Sequence, residues 1–597
     1  MFTTRPELAG TFGMVATTHW LASATGMAVL EAGGNAFDAA VATGLLLQVV
    51  EPHLNGPGGE VPIVCYDSAR DAVDVVCGQG PAPAAADIDR FRDLGLDLIP
   101  GTGLLAACVP GQFDAWMLLL GRYGSMPLRE VMRYAIDYAA GGYPVVANIV
   151  RTISTVADTF RADWPTSAAT YLPGGRPPAA GSLFSNPALA ATYRRVLAEA
   201  EAAAGDRDEQ IQAARDVFYR GFVAEAIDAW CRDTEVADTS GRRHRGLLTA
   251  ADLAAYEARV EPPVTFDYGR YRVCKTSTWG QGPVFLQQLA LLDGFDLPAM
   301  GHNSADYIHT VVECAKLAFA DREAWYGDPD AFDVPLDGLL GIDYNAQRRA
   351  LVDRHASLAL RPGSADGRRP VLPPLATVTA DGASGVGEPT VQIDASTVAP
   401  SGQTRGDTSH LDIVDRWGNM ISATPSGGWL QSSPIIPALG FCLGTRAQMF
   451  WLTDGLPSSL RPGTRPRATL TPSLALRDGL PYLAFGTPGG DQQDQWSLLL
   501  FLAHVEFDRN LAEAIDAPAF HTTHFPASFY PRQADPGKVL VEGRMDPQVI
   551  AELRARGHVV EVTDDWSLGR LSAVSRQGPL LRAAANPRGM QGYATGR

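Results

Sequence analysis

One short run of alternating residues constrains the chain most. In Gly406-Asp407-Thr408-Ser409-His410-Leu411-Asp412-Ile413-Val414-Asp415 a polar stretch gives way to Leu411 and Ile413 spaced by polar residues, the period of a half-buried strand. Asp415-Arg416-Trp417-Gly418-Asn419 reads as a turn and Met420 to Thr424 as the returning strand, so Thr408 stands at the mouth of a hairpin. Cutting the peptide bond before Thr408 leaves a hydroxyl nucleophile and a free α-amine on one residue. With a reference pKa of about 7.7–8.0, that amine can take the hydroxyl proton without a separate histidine.

At 597 residues the chain needs several core layers or two packed halves. A formal net charge of −17 argues against nucleic acid or an anionic membrane as partner. Met1 to Trp20 shows no basic segment followed by an apolar one, and no run of about 18 apolar residues occurs, so the sequence reads as cytoplasmic. The seven cysteines are scattered without metal-ligand spacing and read as reduced, buried thiols.

Along the chain, Asn35 is suited to cap a helix carrying Phe37, Ala40, Val41 and Leu45 on one face, ended by Glu51-Pro52. His53-Leu54-Asn55-Gly56-Pro57-Gly58-Gly59 reads as a loop of close backbone approach, and Val61 to Tyr66 as a buried strand. From about 125 to 260 the pattern is mainly helical, as in Pro187 to Ala204 and Asp216 to Trp230. Another helix is predicted over Ser304 to Trp325, with Ile308, Val312, Ala315 and Phe319 as its stripe. Residues 361–407 turn to Pro, Gly, Ser, Thr, Ala and Asp, the composition of a linker or mobile segment, which ends at Thr408. The strand Tyr482 to Phe485 runs into Gly486-Thr487-Pro488-Gly489-Gly490-Asp491, and a helix with Trp496, Leu499, Leu500 and Ala503 follows. Glycines between a strand end and a helix start can present backbone N–H groups to an anion.

Gly406-Asp407-Thr408, Arg465-Pro466 to Thr471-Pro472, Gly486-Thr487-Pro488-Gly489-Gly490 and Asn586-Pro587-Arg588 together resemble the gamma-glutamyltranspeptidase family of N-terminal nucleophile hydrolases. Gly33-Gly34-Asn35-Ala36-Phe37-Asp38-Ala39-Ala40, Ala320-Asp321-Arg322 and Tyr326-Gly327-Asp328-Pro329 extend the resemblance to the rest of the chain. It implies an α+β, four-layer αββα fold and self-cleavage into a large subunit, 1–407, and a small one, 408–597, held as a heterodimer and compatible with a higher oligomer. The resemblance makes Thr408 the nucleophile, supported by Thr424 and Ser426, with the N–H groups of Gly489 and Gly490 as oxyanion hole. It implies no cofactor and no metal.

The sequence departs from the family where glutamyl substrates are held. The family's carboxylate-binding arginine falls on Gln79, its serine pair on Ala468-Thr469, and its amine-binding acid, after Gln448-Met449, on Phe450 or Trp451. A glutamyl head group would leave its charges poorly paired there. Gln79, Gln448, Phe450, Trp451, Ala468, Thr469 and Asp491 are therefore expected to face a different substrate, an aromatic or heterocyclic acid being suited to Phe450 and Trp451. The resemblance implies a non-glutamyl amide or keto-acid substrate, including carbon–carbon bond hydrolysis of the kind homologues perform in 4-alkyl-proline antibiotic biosynthesis. The alternatives are glutathione hydrolysis, with Arg446 or Arg467 replacing the lost arginine, and an inactive binding homologue. His521-Thr522-Thr523-His524 reads as a loop histidine pair rather than a metal site, and Gly101-Thr102-Gly103 lacks the setting of a dinucleotide loop.

Overall fold

Asn35 shows how local sequence sets the scaffold. Its side chain accepts from the N–H groups of Phe37 and Asp38, both at 3.0 Å, while the Asp38 carboxylate takes the Asn35 N–H at 2.9 Å. This capping box opens the helix Ala36–Val50. Asp38 then accepts from the N–H groups of Ser125 and Met126 at 2.8 and 2.9 Å, tying the helix start to the next segment. All of the helix is buried, not one stripe of it, because it lies between a sheet and the helices Trp20–Glu31, Gln112–Tyr123 and Leu128–Gly141.

The computed structural model describes residues 2–374 and 408–597, apart from the Met590 side chain. Two seven-stranded sheets form its centre. In spatial order the first runs Leu8–Gly10, Leu580–Ala585, Ser572–Gln577, Leu480–Gly486, Ser473–Arg477, Tyr271–Lys275 and Val264–Tyr268. The second runs Tyr593–Gly596, Gly13–Thr17, Leu411–Asp415, Met420–Ala423, Val61–Asp67, Ala72–Gly78 and Arg259–Glu261. Met14, Val64, Val414 and Met420 of the second sheet meet Leu474, Ala484, Val574 and Ala583 of the first in one apolar layer. On its outer face the second sheet packs Val15, Ile63, Leu411 and Ile413 against the N-terminal helices. The first packs Val273, Leu483 and Phe485 against Gly282–Leu292, Ala305–Trp325 and Gln493–Val505. The layers are αββα, and both sheets take strands from either side of Thr408.

Three expectations are modified. The strand Leu411–Asp415 is buried on both faces, because Asp412 faces the other sheet and Asp415 the start of the helix Ala36–Val50, and neither faces water. The stretch Asp216 to Trp230 spans two helices, Arg207–Tyr219 and Phe222–Asp233; the apolar period runs on through Phe218, Val223 and Ile227, so the break at Arg220-Gly221 leaves no gap in it. The start of the Pro- and Gly-rich region is pinned to the body, with Arg361 on Glu313 at 3.2 Å, the Gly363 N–H on Asp321 at 2.6 Å and the Gly363 carbonyl accepting from Trp325 at 3.0 Å. Residues 375–407 lie outside the described residues.

The loop before Val61 is a close approach. A Cβ on Gly59 would fall 2.0 Å from the Ser426 carbonyl oxygen and one on Gly58 2.1 Å from that of Cys442. All seven cysteines are buried and free. No helix among the described residues is long and apolar enough to cross a membrane.

Candidate active site

The hairpin register carries the site. Leu411 pairs with Ala423 and Asp412 with Ser422, and the same pairing continues to a bridge between Thr408 and Ser426. His410 therefore lies opposite Thr424. Alternation puts Thr408, His410 and Asp412, with Ser426, Thr424 and Ser422, on the face toward the first sheet. All six are 0% exposed. A polar ladder thus runs from Thr408 into the layer between the sheets, and its members satisfy one another.

Thr408 Oγ1 lies 3.2 Å from Ser426 Oγ. His410 sits one rung deeper, with Nδ1 2.9 Å from Thr424 Oγ1 and Nε2 3.0 Å from Asp412 Oδ1. Asp412 also accepts from Ser422 Oγ at 2.8 Å and Ser572 Oγ at 2.7 Å. A carboxylate only accepts, so we assign the ring proton to Nε2; the Thr424 hydroxyl then donates to Nδ1 and keeps its lone pairs for another donor. A Cβ on Gly486 would stand 2.4 Å from the His410 ring, so the glycine ending the strand Leu480–Gly486 makes room for this histidine.

Ser409, on the opposite face, donates to Glu51 at 2.5 Å, as does Thr18 at 2.7 Å. Burial raises the Glu51 carboxyl above its ordinary range, against the pull of the Ser409 and Thr18 hydroxyls.

Ser426 Oγ accepts from Arg446 Nη2 at 3.0 Å, and Arg446 Nε donates to Glu60 at 2.7 Å. The Arg446 and Glu60 side chains are 1% and 4% exposed. The guanidinium also lies over the rings of Trp429, at 5.1 Å, and Phe529, at 5.7 Å. Trp429, Met449, Ala468 and Phe529 form a compact apolar cluster. Beside the Thr408–Ser426 bridge the structure thus puts one paired cation and an aromatic surface.

Gly489 and Gly490 follow three residues after Gly486, at φ 138° and 54°. A Cβ on Gly489 would meet the Trp496 ring at 2.3 Å. Neither glycine N–H donates to a described residue, and both residues are buried. Such a pair of N–H groups can receive an oxyanion. Asp491, next in sequence, is ion-paired to Arg322 and accepts from Ser528 N and Oγ at 2.8 and 2.6 Å. Burial opposes its charge, yet Arg322, Arg467 and Ser528 hold the carboxyl below its usual range.

The other predicted residues are more dispersed. Gln79 is buried, its Nε2 donating to the Gly80 carbonyl at 3.0 Å while its Oε1 has no hydrogen-bond partner. Gln448 accepts from Tyr530 N at 3.1 Å and donates to the Gly101 carbonyl at 3.2 Å. The Phe450 ring packs among Ala82, Ile88 and Phe91, while Trp451 lies under the Arg532 guanidinium at 4.5 Å. Ala468 belongs to the aromatic cluster, and the buried Thr469 hydroxyl has no partner. His521 lies in the strand Phe520–Thr522 rather than a loop, and His524 accepts from Gly537 N at 2.9 Å. Elsewhere His309, Glu313 and His558 bring ligand atoms within 4.8 Å of one another, but Glu313 is already neutralised by Lys316 at 2.6 Å and Arg361 at 3.2 Å.

Sequence reasoning passed over Glu60, Ser528 and the His410–Asp412 pair. The available signal for the last was two polar residues in phase with Thr408, His410 and Asp412, matched by Ser422, Thr424 and Ser426 on the returning strand.

A four-layer αββα body with a threonine at the mouth of a central hairpin is the architecture of an N-terminal nucleophile hydrolase. The family model described as Gamma-glutamyltranspeptidase matches residues 22–596, and the chain belongs to that family. It is 56% identical to the solved LmbA2991HD structure, with a TM-score of 0.93 and 100% of both chains covered. It is 26% identical to the cephalosporin acylase from Bacillus halodurans, with a TM-score of 0.82, covering 100% of this chain and 97% of that one. The glutathione hydrolase proenzyme of Bacillus subtilis (strain 168) is 27% identical over 572 residues, 95% of this chain and 88% of the relative. The protein is an enzyme of this hydrolase class.

Proposed function

We propose that the chain cuts itself before Thr408 and that the mature enzyme transfers a non-glutamyl acyl group, from an amide or a keto acid, through Thr408 to water. In the first step Thr408 Oγ1 attacks the Asp407 carbonyl carbon, the peptide C–N bond breaks, the amine gains the hydroxyl proton, and water releases the ester. In the second the free amine takes the hydroxyl proton, Oγ1 attacks the substrate carbonyl, and the oxyanion is received by the N–H groups of Gly489 and Gly490. The leaving group departs with the proton held by the amine. Water then attacks the acyl-enzyme by the same route. Thr424, its proton committed to His410, offers a lone pair to the amine, and Ser426 is oriented by Arg446.

Gln79 carries the choice of substrate. A buried neutral amide occupies the place of the family's carboxylate-binding arginine, and a glutamyl carboxylate there would lack a counter-charge. Likeness to a cephalosporin acylase supports an acyl group other than glutamyl. Arg446, considered as a substitute clamp, is committed to Glu60 and Ser426. Carbon–carbon hydrolysis of a keto acid in an antibiotic pathway uses the same nucleophile and oxyanion site and falls within this reading.

The test is a substrate panel on the matured enzyme, read by mass spectrometry. Glutathione and gamma-glutamyl anilides are expected to stay well under about 10⁴ M⁻¹s⁻¹ in kcat/KM, while a non-glutamyl acyl donor exceeds them. Efficient glutathione turnover would return the protein to glutamyl chemistry, and a chain that stays uncut would make it an inactive homologue.

A further inference from the structure

The two glycines proposed to receive the oxyanion are held in different ways. In a trans peptide the N–H points away from the carbonyl of the preceding residue, so whatever fixes that carbonyl also aims the N–H. Gly490 N–H shares its peptide with the Gly489 carbonyl, which accepts from Gln492 N at 3.0 Å, and a backbone bond therefore closes that turn. Gly489 N–H shares its peptide, which is trans, with the Pro488 carbonyl, and no backbone N–H among the described residues reaches that oxygen. Its donor is the Thr487 hydroxyl, at 2.7 Å. Thr487 Oγ1 in turn accepts from Arg570 N at 3.0 Å, which occupies a lone pair and leaves the hydroxyl proton for Pro488. Thr487 is 1% exposed, so bulk water does not compete for the bond.

That bond lies where the chain is otherwise loose. The Pro488 ring fixes φ but leaves ψ free, and Gly489, lacking a Cβ, accepts a φ of 138°. Rotation about Pro488 ψ and Gly489 φ together turns over the peptide between them, and the N–H with it. Trp496 packs against the Gly489 Cα, since an added Cβ would meet its ring at 2.3 Å, but its indole N–H makes no hydrogen bond. Past Gly490 the chain is fixed at several points: Asp491 is tied to Arg322 and Ser528, and Gln281 Nε2 lies 3.4 Å from the Gly490 and Asp491 carbonyls. The peptide ahead of Gly489 has, among the described residues, the Thr487 hydroxyl alone.

We propose that Thr487 is a positioning residue for acyl transfer: its hydroxyl, oriented by the Arg570 N–H, holds the Pro488–Gly489 peptide in the orientation that presents the Gly489 N–H to the oxyanion. The inference rests on the acyl-transfer reading above and adds to it a side chain that acts through Gly489 and not on the reacting atoms. A buried N–H without an acceptor is costly and tends to turn toward one. A donor held in place against that tendency needs no reorganisation when charge develops on the substrate oxygen.

The experiment compares matured wild type with Thr487→Val, which keeps the shape and loses the hydroxyl, and Thr487→Ser, which keeps the hydroxyl. Two readouts are taken: kcat and KM for p-nitrophenyl acetate, and the calorimetric Kd for phenylboronic acid, whose tetrahedral adduct with a hydroxyl puts an anionic oxygen where the oxyanion would form. Deleting one oxyanion donor outright lowers kcat by roughly 10²–10³-fold, and a donor left free to turn should cost less, so Thr487→Val is expected to lower kcat roughly 10- to 100-fold with KM within about 2-fold. Phenylboronic acid should weaken in parallel, and Thr487→Ser should recover most of both. Wild-type kcat and Kd in Thr487→Val would overturn the proposal and leave acyl transfer standing. So would an equal loss in Thr487→Ser, which assigns the effect to packing, or a raised KM at constant kcat, which assigns the hydroxyl to substrate binding. If wild type cuts itself but neither turns over the ester nor binds the boronate, the acyl-transfer reading is what fails. Hydrogen exchange of the Gly489 amide, read by mass spectrometry in the uncut Thr408→Ala background, then decides the positioning: faster exchange with Thr487→Val supports it, equal exchange refutes it. The same comparison decides if Thr487→Val is not cut, and Thr487→Ala takes its place if Thr487→Val does not fold.

Discussion

His410 Nδ1 faces Thr424 Oγ1 at 2.9 Å, not the Thr408 hydroxyl, although His410 and Thr408 share one face of the strand. The histidine so placed orients Thr424 and makes no hydrogen bond to the hydroxyl of Thr408, the proposed nucleophile. His410→Asn cannot span both Thr424 and Asp412, and a lost hydrogen bond of about 1.4 kcal/mol predicts a fall in kcat of roughly 10-fold with KM little changed. The ascending limb of the pH–rate profile is expected to remain, since the Thr408 amine is its source. A profile without that limb would make His410 the base.

Self-cleavage gives the second prediction. Wild type should run on a denaturing gel as fragments of about 407 and 190 residues, the smaller beginning at Thr408, and Thr408→Ala as one band. Thr408→Ser keeps both amine and hydroxyl and should still be cut. Any other first residue on the small fragment removes the assignment.

The pairing of Glu60 with Arg446 leads to a third. Glu60→Ala strands a buried cation and should cost about 3–5 kcal/mol, whereas Glu60→Gln with Arg446→Met removes both charges and should recover most of it. Denaturant unfolding in the uncut Thr408→Ala background reads the coupling; independent, additive losses would count against the pair.

His19 supplies a pH test. Its Nδ1 accepts from Leu21 N at 3.2 Å at the start of the helix Trp20–Glu31, and burial lowers its pKa to about 3. The folded value lies below the unfolded one of about 6.5, so the unfolded chain binds the extra proton between them and stability falls as pH drops through that window. His19→Asn keeps a capping acceptor and does not titrate. From pH 7 to 5.5 the variant should lose about 1 kcal/mol less stability than wild type. Parallel curves would show that His19 does not titrate on unfolding.

Elements with their own local chemistry were readable from sequence. Asn35 with Asp38, the helix predicted from Ser304 to Trp325 and the turn at Asp415 to Asn419 each rest on chemistry within a few residues, and each lies where it was expected, with Ser304 as the cap of its helix. The electrostatics of the site are long-range. Glu60 meets Arg446 across 386 positions and Arg322 meets Asp491 across 169, and no local period marks such pairs. Phe450 and Trp451 show the same limit: their aromatic character was legible, but neighbours from elsewhere in the chain decide what each ring touches.

The strand Leu411–Asp415 lies between Gly13–Thr17 and Met420–Ala423, so the strand just after the proposed cut is enclosed by one from the chain's beginning and one from its own hairpin. Neither product owns a complete sheet. Genes split at codon 408 should therefore give two insoluble polypeptides when each is expressed alone, and a soluble enzyme only when both are made together. If the proposed cut occurs, the sheets must assemble before it, since each takes strands from either side of Thr408.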